Sequence, residues 1–226
     1  MPRYRLLITD LTDYGDLRCV AGWDLDRGKM IRPEPRPGAF WQGAATGAGQ
    51  AFFPGQVVRF DADVPNPPTE YPHRTEDHVV QGDVHLIERL AGEDFRNHLE
   101  NIADDAAAVL GSPVEIANGK AYVPLGTNHR SLVGINVART ELTFWEDQYG
   151  EEPPKLRGLL ATQALSLNLS ITSSDLRDRY RTGGLASVSE HFADGERLHV
   201  RLGLARAFEA QPNRCYMQIN GIYILE

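Results

Sequence analysis

Residues 18–33 read Arg-Cys-Val-Ala-Gly-Trp-Asp-Leu-Asp-Arg-Gly-Lys-Met-Ile-Arg-Pro: a short apolar run, an Asp/Gly reversal, and a second apolar run closed by an arginine and a proline. Asp and Gly tolerate the dihedral angles of a tight turn, while Val20, Trp23, Met30 and Ile31 suit a pleated surface, so the stretch predicts a β-hairpin. A matching pattern stands near the C-terminus. Leu198, Val200, Leu202 and Leu204 alternate with other residues, and after Cys215 the sequence continues through Tyr216, Met217, Ile219, Ile222, Tyr223 and Ile224. The chain therefore begins and ends in β-structure.

Between these ends the pattern stays mainly β with short helices, an α+β chain. Residues 3–9 supply a first strand ahead of the hairpin. Residues 33–54 carry four prolines, the glycines Gly38, Gly43, Gly47 and Gly49, and the aromatics Phe40, Trp41 and Phe52, the composition of a long loop with hydrophobic anchors. Residues 56–61 read as a strand, 70–74 as a short edge strand and 83–90 as a further one. In 92–110 the period changes, with Phe95, Leu99, Ile102, Ala106, Val109 and Leu110 three or four apart. Glu93 and Asp94 suit a helix N-terminus there, and Gly111 a stop. A second β-rich half follows from 120, with strands at 120–125, 132–137 and 141–145. Two strands or one bent one fit 156–171, where Leu165, Leu167, Leu169 and Ile171 alternate, and a short helix over 175–180 is capped by Ser173 or Ser174. Two halves of about five strands and one helix each match the OB barrel. They predict two tandem five-stranded OB-like barrels packed together, the first over 1–112, a short linker at 113–119 beginning next to Ser112, and the second over 120–226. A single larger sandwich is the rival, and no turn spacing excludes it.

The 226 residues are 42% apolar and 24% charged, the composition of an ordinary globular protein. No apolar run approaches the roughly 20 residues of a membrane helix, and the N-terminal apolar stretch meets Asp10 too soon for a signal peptide. These readings predict a cytoplasmic protein without a membrane partner. Cys19 and Cys215 are too few for a disulfide framework and read as two buried thiols. A net charge of −8 argues against indiscriminate coating of nucleic acid. Acidic residues concentrate in 88–105 and 141–152, however, and arginines in 27–36 and 177–214, which can leave one face positive on an acidic molecule.

The order of these elements resembles a prokaryotic family of dual OB-fold-domain proteins. In the first half the resemblance lies in Arg18-Cys19-Val20-Ala21-Gly22, Met30-Ile31-Arg32-Pro33, Gly55-Gln56-Val57-Val58 and residues 73–80. In the second half it lies in Leu167-Asn168-Leu169-Ser170-Ile171-Thr172 with Asp175, in Val200-Arg201-Leu202-Gly203 and in residues 215–222. The chain departs from the family pattern at Arg74-Thr75-Glu76-Asp77 and at Gln218. The resemblance implies recognition of nucleic acid and a setting in defence against phages and plasmids.

An OB barrel holds single strands by stacking bases on aromatic rings and aligning cations with the backbone. The residues of those types are Trp23, Arg32, Arg36, Trp41, His73 and Arg74 in the first half, with Tyr71 beside them. In the second half they are Arg130, Arg206, Arg214 and Tyr216, together with Arg201. Trp23 also suits a core, and exposed arginines also serve a solvated surface. Arg32, before a proline at a strand end, is expected to contact nucleic acid, so that Arg32→Ala lowers affinity without unfolding the chain.

Catalysis has little support in the sequence. His73, Asp77, His78, Asp83 and His85 fall close together, but their spacing fits no compact ligand set, so no metal and no other cofactor is expected. A nucleophilic Cys19 would need a nearby histidine and a depressed pKa. The glycines of 43–55 lack the lysine-serine end of a phosphate loop, and 126–131 is a polar turn. The expectation is a non-catalytic nucleic-acid-binding module with no catalytic residues. Two alternatives are a protein-interaction subunit that docks on a nuclease or helicase through the Phe40-Trp41 and Phe52-Phe53 loop, and a sensor of a small nucleotide-like ligand held by Arg32 and Arg206.

Overall fold

The computed structural model describes residues 1–45, 50–111, 113–148, 150–151, 153–162 and 166–226; Gly47, Gly49, Ser112, Glu152 and Leu165, named above, lie outside the described residues. The chain folds into two OB-like barrels, the first closed and the second a curled half-barrel. The first is built from β1 (Arg3–Tyr14), β2 (Leu17–Asp24), β3 (Lys29–Glu34), β5 (Gln56–Asp63) and β6 (Asp77–Arg89), with the short β4 (Trp41–Gln42) on the edge of β2. β1 pairs antiparallel with both β2 and β5, β5 pairs with β6, and β3 closes the ring by lying parallel to β6 and antiparallel to β2. This is the connectivity of an OB barrel.

Alternation along β1 sends Tyr4, Leu6 and Ile8 into the first core. A register shift between Ile8 and Asp10 then resets the period, so that Leu11 continues the core row while Asp10 turns outward. Val20 and Ile31 of the hairpin, Phe52, and Val58 and Phe60 of β5 complete this core.

Helices α1 (Gly92–Asn101) and α2 (Ala106–Leu110) link the barrels, followed by β7 (Glu115–Ala117), β8 (Lys120–Pro124), β9 (Leu132–Ala138), β10 (Leu142–Asp147), β11 (Lys155–Ala161), β12 (Ser166–Ile171), α3 (Ser174–His191), β13 (Arg197–Leu204) and β14 (Arg214–Ile224). The second sheet runs β10-β11-β12-β14-β13-β9, with β12 and β14 parallel. Its two end strands are consecutive in the chain, parted by a turn at Arg139–Glu141, so β9 and β10 share the place of a first barrel strand. α3 lies between the third and fourth strands. The inward rows Leu198, Val200, Leu202 and Leu204 of β13 and Leu167 and Leu169 of β12 pack with Val188 and Phe192 of α3.

Three expectations are corrected by the packing. Residues 70–74 form no strand; a 3-10 turn at His73–Thr75 leads directly into β6, which runs unbroken through 83–89. The periodic stretch 92–110 is two helices, because the chain breaks at 102–105 and Asp105 caps α2 by accepting from the Ala108 amide at 2.9 Å. The helix expected over 175–180 continues to His191, bending at Gly184, whose φ of 66° a side chain would oppose. Ahead of the expected boundary at 112/113, Val109 and Leu110 already pack in the second core, and the Asp104 amide donates to Gly134 O at 2.7 Å. The linker at 113–119 contains β7, paired to β8. Among the described residues no helix is long and apolar enough to cross a membrane.

Candidate nucleic-acid interface

The barrels meet along a seam made largely of buried polar groups. Arg201 of β13, which alternation alone would place in water, faces the first barrel instead. Arg201, 1% exposed, donates from Nε to Asp10 at 3.1 Å and from Nη2 to the Met30 sulfur at 3.2 Å. Tyr223 of β14 donates to Thr9 O at 2.7 Å. At the end of β1, Asp13 pairs with Arg18 at 3.1 Å and with Arg181 of α3 at 2.8 Å, and it accepts from the Ser174 hydroxyl at the start of the helix. A carboxylate there is also favoured by the helix dipole.

A second polar cluster closes over β3. Arg32 pairs with Asp77 and donates to Ser131 Oγ at 2.9 Å, while Glu76 accepts from the Ser131 amide at 3.1 Å. Arg206, from the loop after β13, reaches across to Glu34 and to Asp77, the latter at 2.8 Å. Burial opposes these charges and is the largest single influence on Arg32, but Asp77, Cys19 and Glu76 together outweigh it and raise the Arg32 pKa, and the two arginines hold the Asp77 carboxyl below its ordinary value. Burial pushes Glu34 and Glu76 up. His73 donates from Nε2 to Leu204 O at 2.9 Å, and burial, aided by Arg32, lowers its pKa to about 3.

Above this cluster lies a cavity of about 620 Å³ with walls from both barrels. Its cations are Arg32, Arg206 and Arg177 of α3. Its rings are Tyr14 and Phe40 from the first barrel, stacked with centroids 4.8 Å apart, and Phe208 from the second. Tyr14 is 66% and Phe208 50% exposed, so both present faces to solvent at the mouth. Gln218 and Asn220 of β14 add amide groups, and Asn220 Oδ1 accepts from the Thr172 hydroxyl at 3.2 Å. Cys19 also lines the cavity as a free thiol, pushed up chiefly by burial; Cys215 is free and buried.

The structure brings Arg32, His73 and Arg206 together at this cavity and disperses the other candidates. Trp23 packs beside Ala21, Met30 and Leu132 at the seam, away from the cavity walls. Arg36 is exposed in the loop after β3. Trp41 donates to Pro33 O at 2.8 Å and leans on Phe52 at the edge of the first core. Arg74 is exposed with its guanidinium over the Tyr71 ring, and Arg130 pairs with Asp104 at 2.9 Å. Arg214 lies over Tyr122, whose ring is 5.7 Å from Tyr216, and Tyr216 in turn neighbours Phe208 at 6.4 Å. The residues named around 73–85 are also divided: His73, Asp77 and His78 are buried, whereas Asp83 and His85 are exposed on β6. Among the described residues no three His, Cys, Asp or Glu side chains converge as a metal would require. Sequence reasoning missed Tyr14, Phe208, Arg177, Gln218 and Asn220 as members of one site. Their shared signal was position: Tyr14 and Phe208 stand where a first strand and a fourth strand give way to the loops that OB barrels use for ligands.

Residues 5–222 match the family described as the dual OB-containing domain. The chain belongs to that family. No curated protein and no solved structure matches it. In this dual OB-containing domain the two barrels are joined by the buried cluster just described, and the cavity at their junction is the feature on which both converge.

Proposed function

We propose that the protein is a non-catalytic module that binds single-stranded or otherwise exposed nucleic acid in the cleft between its barrels. The observation that carries this reading is the 620 Å³ cavity in which three arginines and solvent-facing rings from both barrels share the same walls. Each stacked base is worth about 1–3 kcal/mol, and a guanidinium adds attraction for the intervening phosphate. Free cysteines suit a reducing compartment, in keeping with a cytoplasmic setting. A role in prokaryotic defence rests on the family resemblance alone.

A small nucleotide-like ligand is the second reading, supported by a cavity volume within the range of about 300–1,000 Å³ that such ligands occupy. The docking-loop alternative has weaker support: Phe52 is buried in the first core, Trp41 leans on it, and Phe40 is stacked on Tyr14.

Fluorescence anisotropy with labelled single-stranded DNA, single-stranded RNA and duplex DNA across a salt series tests the proposal. Binding to one of the single strands is expected to weaken steeply with salt, and Phe208→Ala or Tyr14→Ala to weaken it by about 5- to 150-fold, the equivalent of one lost stack. Binding of none of the three at low salt would overturn it, and tight binding of free mononucleotides alone would select the second reading.

A further inference from the structure

The inter-barrel cavity continues on the side of the second barrel. Arg177 lines it and also lines a second cavity, of about 650 Å³, between α3 and the ends of β10, β11 and β12. Thr172 borders the first space and its chain neighbour Ile171 the second, so the two adjoin where β12 gives way to α3. Across the outer face of the barrel, Gln218 is the register partner of Ser170, and Ser170 of Arg157. That row crosses three strands, about 10 Å at ordinary strand spacing, and leads from one cavity into the other.

The charge of the second cavity runs against that of the molecule. Among the described residues, Lys155, Arg157, Arg177 and Arg181 line it with Glu146 as the carboxylate on its walls, in a chain of net charge −8. Arg157 is held by Asp147 at 2.9 Å, and Arg181 by Asp13 and Asp178. Arg177 differs from both. It donates to two carbonyl oxygens, Ile171 O at 2.9 Å and Asp13 O at 3.2 Å, and among the described residues it forms no ion pair. Burial, ahead of the repulsion of Arg181 and Arg18, holds its pKa below the ordinary arginine value although Asp13 lies near. An anion placed against it would complete its charge balance. The loops at the two ends of this path are those that OB barrels offer to oligonucleotides: Phe208 lies between the fourth and fifth barrel strands, and Pro153 and Pro154 between the first and second.

Building on the nucleic-acid reading above, we propose that a single strand leaves the inter-barrel cavity across Arg177, seating a phosphate on its guanidinium, and continues beside α3 past Tyr180 to Lys155. The second barrel is therefore the one whose outer face carries the strand, while the corresponding face of the first barrel is covered by Arg206 and the loop that bears it.

Oligothymidylate and oligouridylate strands of about 2 to 16 nucleotides, the range of OB site sizes, test the track by anisotropy. Affinity is expected to rise with length beyond the shortest strands. Lys155→Glu, an exposed substitution, is expected to weaken the long strands several-fold and leave the shortest unchanged, and Arg177→Gln to lower the salt slope by about 0.7, one phosphate on a single strand. Equal affinity for short and long strands, or long-strand binding that Lys155→Glu leaves unchanged, would overturn the track and leave the inter-barrel site standing. Failure of the unsubstituted protein to bind any strand would overturn the nucleic-acid reading itself.

Discussion

His73, on the seam, and His199 of β13 are 3% and 0% exposed, and burial is the first cause of their low pKa values, about 3 and about 2 against an ordinary 6.5. In the folded chain both stay neutral where the unfolded chain takes up protons. Their contribution to stability is therefore complete above pH 6.5 and is lost as the pH falls below it toward the folded values, approaching about 1.4 kcal/mol per pH unit for each histidine. Glu34 and Glu76, pushed up by burial, act in the opposite sense and restore part of this in acid. Urea denaturation at pH 7.5 and pH 5 is expected to show lower stability at pH 5, and His73→Gln to narrow the difference. An unchanged difference in a folded variant would remove His73 from this account. Neither histidine's state was legible in the sequence, because it depends on what covers the ring: His73 is closed off by Leu204, 131 residues away.

Strands were the most legible elements, and their outward faces the least. The alternation of β13 correctly places Leu198, Val200, Leu202 and Leu204 in the core, but it reads the intervening His199 and Arg201 as solvent-facing when both are buried, Arg201 against Asp10 and Met30 of the first barrel. In β1 the register shift after Ile8 is what directs Asp10 to Arg201, and a bulge leaves no period of its own in a single sequence. Gly134, opposite Arg201 on β9, makes room for that pair: a Cβ there would lie 2.4 Å from Arg201 Nη1 and 2.5 Å from His199 Nε2. Because both side chains are buried and held, Gly134→Ala is expected to cost about 1–3 kcal/mol in urea denaturation. A variant as stable as the parent would show that Arg201 can move aside and that the seam tolerates repacking.

At the scale of the whole molecule, the seam couples the barrels. Separating them would leave Asp10 without Arg201 and the Glu34 and Asp77 carboxylates without Arg206. Unfolding is therefore expected as a single transition. Trp23 and Trp41 report the first barrel and Trp145 the second, so a Trp145→Phe variant and a Trp23→Phe/Trp41→Phe variant should give coincident denaturation curves. Arg32→Ala is expected to lower the stability of both together by about 1.5–3 kcal/mol, since it leaves the buried Asp77 carboxylate with Arg206 as its remaining arginine. This revises the sequence-based expectation that the substitution would spare the fold. Two separate transitions would show that the barrels are stable alone and that the polar seam is only a contact surface.

The sequence by itself determined the strands: hairpin and alternating apolar runs are local patterns, legible because neighbouring residues set them, and they marked two β-rich halves with a helix before β13, while their closure into barrels rather than one sandwich was settled by the strand pairing. It also named Arg32, His73 and Arg206 as candidates, and the fold brings these three to one cavity. Only the tertiary structure decided which of these charges are consumed in holding the barrels together and which rings are left facing the cleft. Arg32 meets Asp77 and Ser131 across 45 and 99 residues, and Arg206 meets Glu34 across 172. Such partners are chosen by the docking of one barrel face on another, and that depends on shape and buried charge rather than on any repeat along the chain.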